Sequence, residues 1–565
     1  MTMVICIKSK IRFLLFIVSL SITINASAQS LPDSTIKKID AIFSRWNTND
    51  GPGVAIGIVR NDSIIYAKGY GMANLEHEIP ITPETIFEMA SIAKQFTAYA
   101  IILLARQEKL QLDDDIHKYL SWLPYPKEKI TIRNLLIHTS GIRDFMAIGL
   151  ITGVKRDDAI TNESIIKILC EQQSLNFKPG EKFSYSNSNY ILLAEVVKSV
   201  SGQSLRQFAD SAIFNPLHMI NTHFIDNYKE IIKNRSSSYK RIDSAHFENS
   251  IISYAAPGPT SLFTNIDDMA KWGINFYHPT AGDNKAIEQL TQKGKLNNGN
   301  ETVYSSGIIV QTYKGWKEYI FNGGLASYRN ELMIIPDLKM SFIAFSNDGD
   351  YYPHTDDMAD LFINDTTKSN GTGNVQKRDS GEAILKDIIS IQKIAGNYIS
   401  DDGMLINFRL SNNKLYADAW GQSNLLWKDK ADTFSYFNDP EVKFKFTING
   451  KNSSVRGFFY RDPPVHYTKY VNIPIQTDAL LLSYTGTFYC PELDAKYAIK
   501  LKDHHLVLAN NRVGDTALVL VGNNHLISNL NSMNHLLVIR NNKNQVIGFE
   551  VNSDAIMHLR FNKIE

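Results

Sequence analysis

The amino-acid sequence predicts an α+β domain, with an antiparallel sheet and helices, followed by two small antiparallel β-barrel-like domains. Two observations lead to this prediction. Residues 54–362 mix short strand patterns with longer helical ones and have strands at both ends, whereas the sequence beyond residue 386 alternates like β-strands and repeats itself. The chain has 565 residues, 44% of them hydrophobic, which is enough for three units that each bury a core.

The first 28 residues are typical of a signal peptide. Basic residues at positions 8, 10 and 12 precede an apolar run at 13–24 that is too short to span a bilayer, and small residues follow at 26–28. We expect cleavage before Gln29, export to the periplasm or the medium, and no stable membrane span in the mature chain. An uncleaved anchor is the alternative.

The first folded unit is expected at residues 29–363. A hairpin is predicted from strands at 54–59 and 64–67 around a polar turn. Helices are predicted at 91–107, 165–170 and 190–200, the last stopped by Gly202. Strands at 333–335 and 340–345 then return to the sheet.

A linker is predicted at 364–385, because residues 364–382 are almost wholly polar, with Val375 the one clearly apolar residue. Two related units are expected beyond it, at 386–475 and 476–565. Ala395-Gly396-Asn397-Tyr398 recurs as Thr485-Gly486-Thr487-Phe488, and later anchors keep nearly the same spacing with one inserted residue. This repetition favours a duplicated barrel over two unrelated sheets.

Composition excludes several functions. The formal net charge is +1, whereas a nucleic-acid partner would call for a basic stripe. The 14 histidines form no recognisable metal-ligand spacing, so no metal and no cofactor are expected. Cys170 and Cys490, which remain after signal cleavage, lie too far apart in sequence to suggest a disulfide framework.

Ser91 and Lys94 form a Ser-x-x-Lys motif. Residues three apart share a helix face, so the Lys94 amine can lie within hydrogen-bond reach of the Ser91 hydroxyl and remove its proton, if burial lowers the pKa of the amine. The same spacing occurs elsewhere, as at Ser164 and Lys167. Only the Ser91 copy opens a long apolar helix, where the serine would lie at the positive end of the helix dipole.

Several stretches occur together in an order that resembles one known family. They are residues 87–98, Leu135-Leu136-Ile137-His138-Thr139-Ser140-Gly141, residues 178–190 with Tyr185-Ser186-Asn187, Pro216-Leu217-His218-Met219, and Asp267-Asp268-Met269-Ala270-Lys271-Trp272. The chain resembles the serine β-lactamase and penicillin-binding-protein superfamily, in the branch of class C β-lactamases, D-aminopeptidases, D-Ala-D-Ala carboxypeptidases and esterases. The C-terminal repeats resemble the lipocalin-like barrels attached to some of its peptidases.

This resemblance implies a β-lactamase-like fold for the first domain and assigns roles to its residues. Ser91 would be the acylated nucleophile, Lys94 its base and Tyr185 the second acid/base. Asn187 would hold the substrate amide and orient Lys94. The backbone N–H groups of Ser91 and Gly324 would form the oxyanion hole. His138 would be mainly structural.

The third family element departs from the pattern. Where the family has Lys-Thr-Gly or His-x-Gly, this chain has Phe321-Asn322-Gly323-Gly324. Asn322 could replace the lost polar group only if the strand is shifted or bulged, because neighbouring strand residues face opposite sides. Arg329 could instead bind a substrate carboxylate. Gly323 and Gly324 would let a substrate backbone approach the strand edge closely.

The function expected is that of an exported serine hydrolase acting through an acyl-enzyme on peptides, amides or esters. One alternative is a catalytically silent protein of the same fold that binds ligands through its β-modules; a weaker one is a true β-lactamase. The partner expected is a small-molecule or peptide substrate. The sequence leaves open self-association into a homo-oligomer and whether the barrels shape the site entrance or only stabilise the chain.

Overall fold

The computed structural model describes most of the chain. The described residues are 31–565 except 125–126, 156, 244–245, 365–387, 401–402, 420–421, 431, 437–441, 449–452, 459–463, 471–475, 531 and 554. The predicted signal peptide at 1–28 and residues 365–385 of the predicted linker therefore lie outside the described residues.

A six-stranded antiparallel sheet forms the centre of the first domain. In spatial order its strands are Ile309–Tyr313, Trp316–Leu325, Tyr328–Ile335, Met340–Ser346, Val54–Arg60 and Ser63–Tyr70. The last two strands form the predicted hairpin, in which Asn61 and Asp62 take the left-handed backbone conformation of a tight turn. Strand Val54–Arg60 pairs with Met340–Ser346, so the two ends of the domain meet in one sheet.

Helices cover both faces of this sheet. Successive residues of strand Val54–Arg60 point to opposite sides, so Ile56 packs in the cluster that includes Ile39 and Met358, and Ala55 in the larger cluster that includes Phe96 and Ile191. The helices are Asp33–Ile42, Ala93–Arg106, Ile132–Leu136, Phe145–Thr152, Asn162–Cys170, Asn187–Ser201, Leu205–Ala209, Ile266–Asn275, Asn284–Leu290 and Thr355–Asp360. The predicted helix at 91–107 begins instead with a 3₁₀ turn, Ala90–Ile92, before the α-helix starts at Ala93.

Short strands complete the first domain. They are Phe87–Glu88, Leu262–Thr264 and His223–Phe224 in one sheet, and the pairs Met72–Asn74 with Ile79–Pro80, Ile160–Thr161 with Tyr254–Ala255, and Tyr239–Arg241 with Phe247–Asn249. The strand Phe87–Glu88 leads directly into the turn that carries Ser91.

Two closed antiparallel barrels follow, each with every strand paired to the next and the last paired to the first. The strands of the first barrel are Gly396–Ser400, Leu405–Ser411, Lys414–Ala419, Gln422–Lys428, Thr433–Tyr436, Lys443–Thr447, Ser454–Phe458 and Val465–Tyr470. Those of the second barrel are Gly486–Cys490, Ala495–Lys502, His505–Asn510, Gly514–Val521, His525–Ser528, His535–Arg540, Val546–Val551 and Leu559–Lys563. Helix Ile388–Ile394 precedes the first barrel and helix Asp478–Leu482 the second.

The two barrels begin with the same local arrangement. Gly396 and Gly486 each open the first strand with a positive φ, 133° and 151°, that favours glycine. A lysine of the last strand lies over each glycine, Lys469 in the first barrel and Lys563 in the second. Each ammonium donates to the carbonyl of the residue before its glycine, at 2.6 Å in both barrels. The sequence repeat thus corresponds to a structural one.

The second barrel shares its apolar interior with the first domain. Ala147, Ile148 and Ile151 of helix Phe145–Thr152 belong to the same buried cluster as Phe488 and Tyr497 of the barrel. Within the described residues, no helix combines the length and apolar character needed to cross a membrane.

Candidate active site

Ser91 lies in a constrained turn at the start of helix Ala93–Arg106. The residue before it, Ala90, has a φ of 48°, which is unusual for a residue with a side chain. The buried Glu88 holds this turn, because its two carboxyl oxygens accept the backbone N–H groups of Ala90 and Ser261, each at 2.8 Å. Burial raises the pKa of Glu88 to about 7. Ser91 itself is partly exposed and accessible from solvent.

The Lys94 amine is fully buried and lies 3.2 Å from Ser91 Oγ. It also donates to Asn187 Oδ1 at 2.8 Å and to the Pro259 carbonyl at 3.0 Å. Neither of these two oxygens carries a hydrogen, so together they use both N–H bonds of a neutral amine and leave its lone pair for the serine hydroxyl. Burial lowers the pKa of Lys94 to about 7, which makes the neutral form available near neutral pH.

Asn187 is oriented by Asp144. The Asp144 Oδ2 atom accepts hydrogen bonds from the backbone N–H of Asn187, at 2.5 Å, and from its side-chain Nδ2, at 2.9 Å. Because an ionised carboxylate only accepts hydrogen bonds, it fixes the amide so that Oδ1 faces Lys94. Asp144 Oδ1 meanwhile caps helix Phe145–Thr152 by accepting two of its first N–H groups.

Tyr185 completes the group around the serine, since its hydroxyl donates to Ser91 Oγ at 2.8 Å. Its ring lies beside Lys94, with Nζ 4.8 Å from the ring centroid. Burial raises the pKa of Tyr185, so in the resting state it is a phenol that can give a proton. Ser91, Lys94, Tyr185 and Asn187 are therefore brought together by direct hydrogen bonds.

An aromatic wall borders this group, made of His138, Phe183, Tyr185, Tyr304 and Phe321. The rings of Phe321 and Tyr304 pack edge to face, with an interplanar angle of 71° and 5.6 Å between their centroids. Tyr304 also packs against His138 and Tyr185. His138 Nδ1 accepts the backbone N–H of Ser186, and its Nε2 lies 3.1 Å from the Tyr304 hydroxyl. Burial holds the pKa of His138 well below its usual value, so the ring is neutral. Its contacts hold Tyr304 and the backbone of Ser186 in place beside the site.

Strand Trp316–Leu325 passes behind the serine turn without a break in register. Gly323 faces the turn, where a Cβ would fall 2.2 Å from the Met89 carbonyl oxygen. Asn330, directly across from Gly323, donates to the Glu88 carbonyl at 2.8 Å and ties the neighbouring strand to the same turn. The strand therefore touches the turn at the position next to Gly324, the predicted oxyanion residue.

Asn322 and Arg329 lie on the other face of this hairpin. Asn322 lies opposite Glu331 on the neighbouring strand, and the two side chains are hydrogen-bonded to each other. The pairing of these two strands has no shift or bulge that would turn the Asn322 side chain toward Ser91. Arg329 pairs with Gly324, and its guanidinium donates to the carbonyls of Ala326 and Tyr328. Reaching a substrate at Ser91 would require this guanidinium to leave both carbonyls.

Sequence reasoning missed Asp144, Glu88 and the Pro259 carbonyl. Asp144 stands directly before the apolar run at 145–152, which is the pattern of a helix N-cap. Glu88 is a lone acid in an otherwise apolar stretch beside the predicted nucleophile, which was a usable signal. No side-chain pattern could reveal Pro259, because its contribution is a backbone oxygen far along the chain. Among the described residues, no three His, Cys, Asp or Glu side chains gather as a metal-binding group.

Comparison with known proteins identifies the family of the first domain. Residues 37–364 match the family model described as Beta-lactamase. Penicillin-binding protein 4* of Bacillus subtilis is 25% identical over 417 residues, which cover 71% of this chain and 90% of that protein. D-aminopeptidase of Gluconobacter oxydans is 24% identical over 318 residues, covering 56% of this chain and 60% of that protein. The octameric penicillin-binding protein homologue from Pyrococcus abyssi has a similar fold, with a TM-score of 0.51 and 23% identity over 76% of this chain and 99% of that one.

Proposed function

Because the chain belongs to the Beta-lactamase family and is a serine hydrolase, we propose that it forms an acyl-enzyme on Ser91 with peptide, amide or ester substrates. The observation that supports this best is the Lys94 amine, whose two other contacts use the N–H bonds of its neutral form and leave the lone pair for Ser91 Oγ. A buried amine in this arrangement is an effective base for the serine hydroxyl.

The proposed reaction runs in two halves. Lys94 takes the proton from Ser91 as the oxygen attacks the substrate carbonyl carbon, and the backbone N–H groups of Ser91 and Gly324 bind the resulting oxyanion. Tyr185 gives its proton to the leaving amine or alkoxide and regains one from the Lys94 ammonium. Water then attacks the acyl-enzyme, with the same groups acting in reverse, to release the acid and free Ser91.

The substrate class proposed is a D-amino-acid-containing peptide, an amide or a small ester. A relative named D-aminopeptidase supports the amide side of this proposal. Phe321, which packs on Tyr304, stands where the family has a cation for a β-lactam carboxylate. Losing a hydrogen bond to a charged group costs about 1.5–3 kcal/mol, which disfavours β-lactams without preventing chemistry at Ser91.

Export is part of the proposal. The basic, apolar and small-residue pattern of residues 1–28 supports cleavage before Gln29 and release into the periplasm or the medium. N-terminal sequencing of protein recovered outside the cytoplasm tests this, and we expect the first residue to be Gln29. A recovered chain that still carries residues 1–28 would contradict it.

A fluorescent fluorophosphonate tests the nucleophile, because this probe reports an activated serine without requiring a carboxylate pocket. We expect the wild-type protein to be labelled, Ser91→Ala not to be labelled, and peptide mapping to place the modification on Ser91. Unlabelled wild-type protein would then be assayed with D-peptides, esters and β-lactams in turn. A folded wild-type protein that stays unlabelled would overturn the proposal and favour the silent binding alternative.

A further inference from the structure

Helix Phe145–Thr152 belongs to two apolar cores at once. Its first residue, Phe145, packs in the core of the first domain, whereas Ala147, Ile148 and Ile151 lie in the apolar cluster of the second barrel. Positions 147, 148 and 151 share one face of a helix, so a whole side of this helix is covered by the barrel. The buried Tyr497 of the barrel also donates its hydroxyl to the Ile151 carbonyl at 2.7 Å.

Arg143, just before this helix, is held by the barrel as well. Its guanidinium is fully buried and donates to Glu492 at 2.6 Å and to the Met557 carbonyl at 3.1 and 3.3 Å, both in the second barrel. The remaining donors go to Gln172 and Ser174 of the first domain. A buried guanidinium with this many partners has one well-defined position.

Asp144 lies between these two attachments. Its backbone N–H donates to the Ala555 carbonyl of the second barrel at 3.3 Å. Its carboxylate caps the helix with one oxygen and holds Asn187 with the other, and Asn187 in turn faces Lys94. A continuous series of hydrogen bonds therefore runs from the barrel through Asp144 to the amine beside Ser91.

We infer that the second barrel is a positioning element of the catalytic centre, which acts by holding Arg143 and helix Phe145–Thr152 so that Asp144 orients Asn187 against Lys94. This inference rests on the proposed function of Ser91 and Lys94. It assigns Asp144 and Glu492 as positioning residues, and it makes the barrel more than a passive stabilising module. If the contacts with the barrel loosened, Asp144 would move away from Asn187. Lys94 would then lose the oriented amide of Asn187 and the nearby negative charge of Asp144.

The pH dependence of labelling separates positioning from general stability. The titratable groups around Lys94 are Asp144, Glu88, Tyr185, Tyr190 and His138. The negative charge of Asp144, and that of Glu88 above its own pKa of about 7, favour the ammonium form of Lys94. Removing or displacing Asp144 therefore moves the midpoint of the acid limb to lower pH, whereas a change confined to stability leaves this midpoint where it was.

The experiment compares rates of Ser91 labelling by the fluorophosphonate between pH 5 and 9 in four full-length proteins. We expect Asp144→Asn and Glu492→Gln each to be labelled about tenfold more slowly than wild type. The midpoint of the acid limb of the labelling profile should fall by about half a pH unit in Asp144→Asn, and it should also fall in Glu492→Gln. Glu550→Gln is the matched control, since Glu550 lies in the same barrel and pairs with the exposed His558. It should keep the wild-type rate and midpoint.

A folded Glu492→Gln protein with a wild-type rate and midpoint would overturn the inference, whatever its thermal stability. Should that variant not fold, Tyr497→Phe decides the question, because it removes only the hydroxyl that holds the Ile151 carbonyl. A labelling rate reduced at least about threefold, with a lowered midpoint, supports the inference, and an unchanged profile overturns it. Wild-type protein that is never labelled at Ser91 would overturn the proposed function as well, so the two failures are distinguishable.

Discussion

The close contact between Gly323 and the serine turn predicts that Gly323→Ala slows the labelling of Ser91. In Gly323→Ala the new Cβ would fall 2.2 Å from the Met89 carbonyl oxygen and 3.3 Å from the Ala90 Cβ. The first distance is far below any van der Waals contact, so the strand and the turn must separate by about 1 Å. A displacement of that size at a reacting group costs about 100-fold in rate. We therefore expect labelling of Ser91 to slow about 100-fold.

The neighbouring glycine offers a matched control. In Gly324→Ala the new Cβ meets nothing closer than Arg329 Nη1 at 3.7 Å, and the backbone N–H proposed for the oxyanion hole is kept. Labelling rates and thermal unfolding of both variants would be measured side by side. Gly323→Ala should lose rate and about 1–3 kcal/mol of stability, whereas Gly324→Ala should stay within a few-fold of wild type. Equal rates in the two variants would refute the placement of Ser91 against this strand.

Three further predictions concern charge. Labelling of Ser91 should rise with pH through about 7, because the lowered pKa of Lys94 makes its neutral form dominant above that value; a rate that is flat from pH 5.5 to 8.5 would contradict this. Burial raises the pKa of Glu331 to about 8, so the folded state holds a proton that the unfolded state releases above about 4.5, and stability falls as pH rises between these values. Glu331→Gln should therefore raise the thermal midpoint at pH 9 and have little effect at pH 5, and equal effects at both pH values would argue against a neutral Glu331. Arg329→Ala should leave any preference for substrates with a free carboxylate unchanged, since the guanidinium is bound to its own turn; loss of that preference in kcat/KM would establish a carboxylate contact.

The sequence was most informative where a short-range pattern determines the structure. The polar turn after Val54–Arg60 gave the hairpin, and Gly202 ends helix Asn187–Ser201 as predicted; the structure shows that it does so in a left-handed conformation. The repeated Gly-x-aromatic motif gave the two barrels. The family match confirms the resemblance, and the sheet topology confirms the fold class. Both predictions succeeded because they rest on local motifs that occur in a fixed order along the chain.

The parts that sequence could not supply depend on contacts between distant segments. Glu88 is tied to Ser261, and Arg143 to Glu492, through side chains and backbone groups that have no local signature. The sequence could not determine which side of the strand Asn322 faces, because this depends on the strand register. Pairing with strand Tyr328–Ile335 fixes that register, and the identity of residue 322 does not.

The second barrel follows helix Phe145–Thr152 far along the sequence, and this order has a consequence for biosynthesis. Helix Phe145–Thr152 leaves the ribosome long before the strands that cover its apolar face, and at roughly 5–20 residues per second the delay is tens of seconds. During that interval the nascent chain exposes an apolar surface that favours aggregation and recruits chaperones. Under the coupling inferred above, the hydrolase would become competent only when the strands of the second barrel close, so a nascent chain that still lacks them would be inactive.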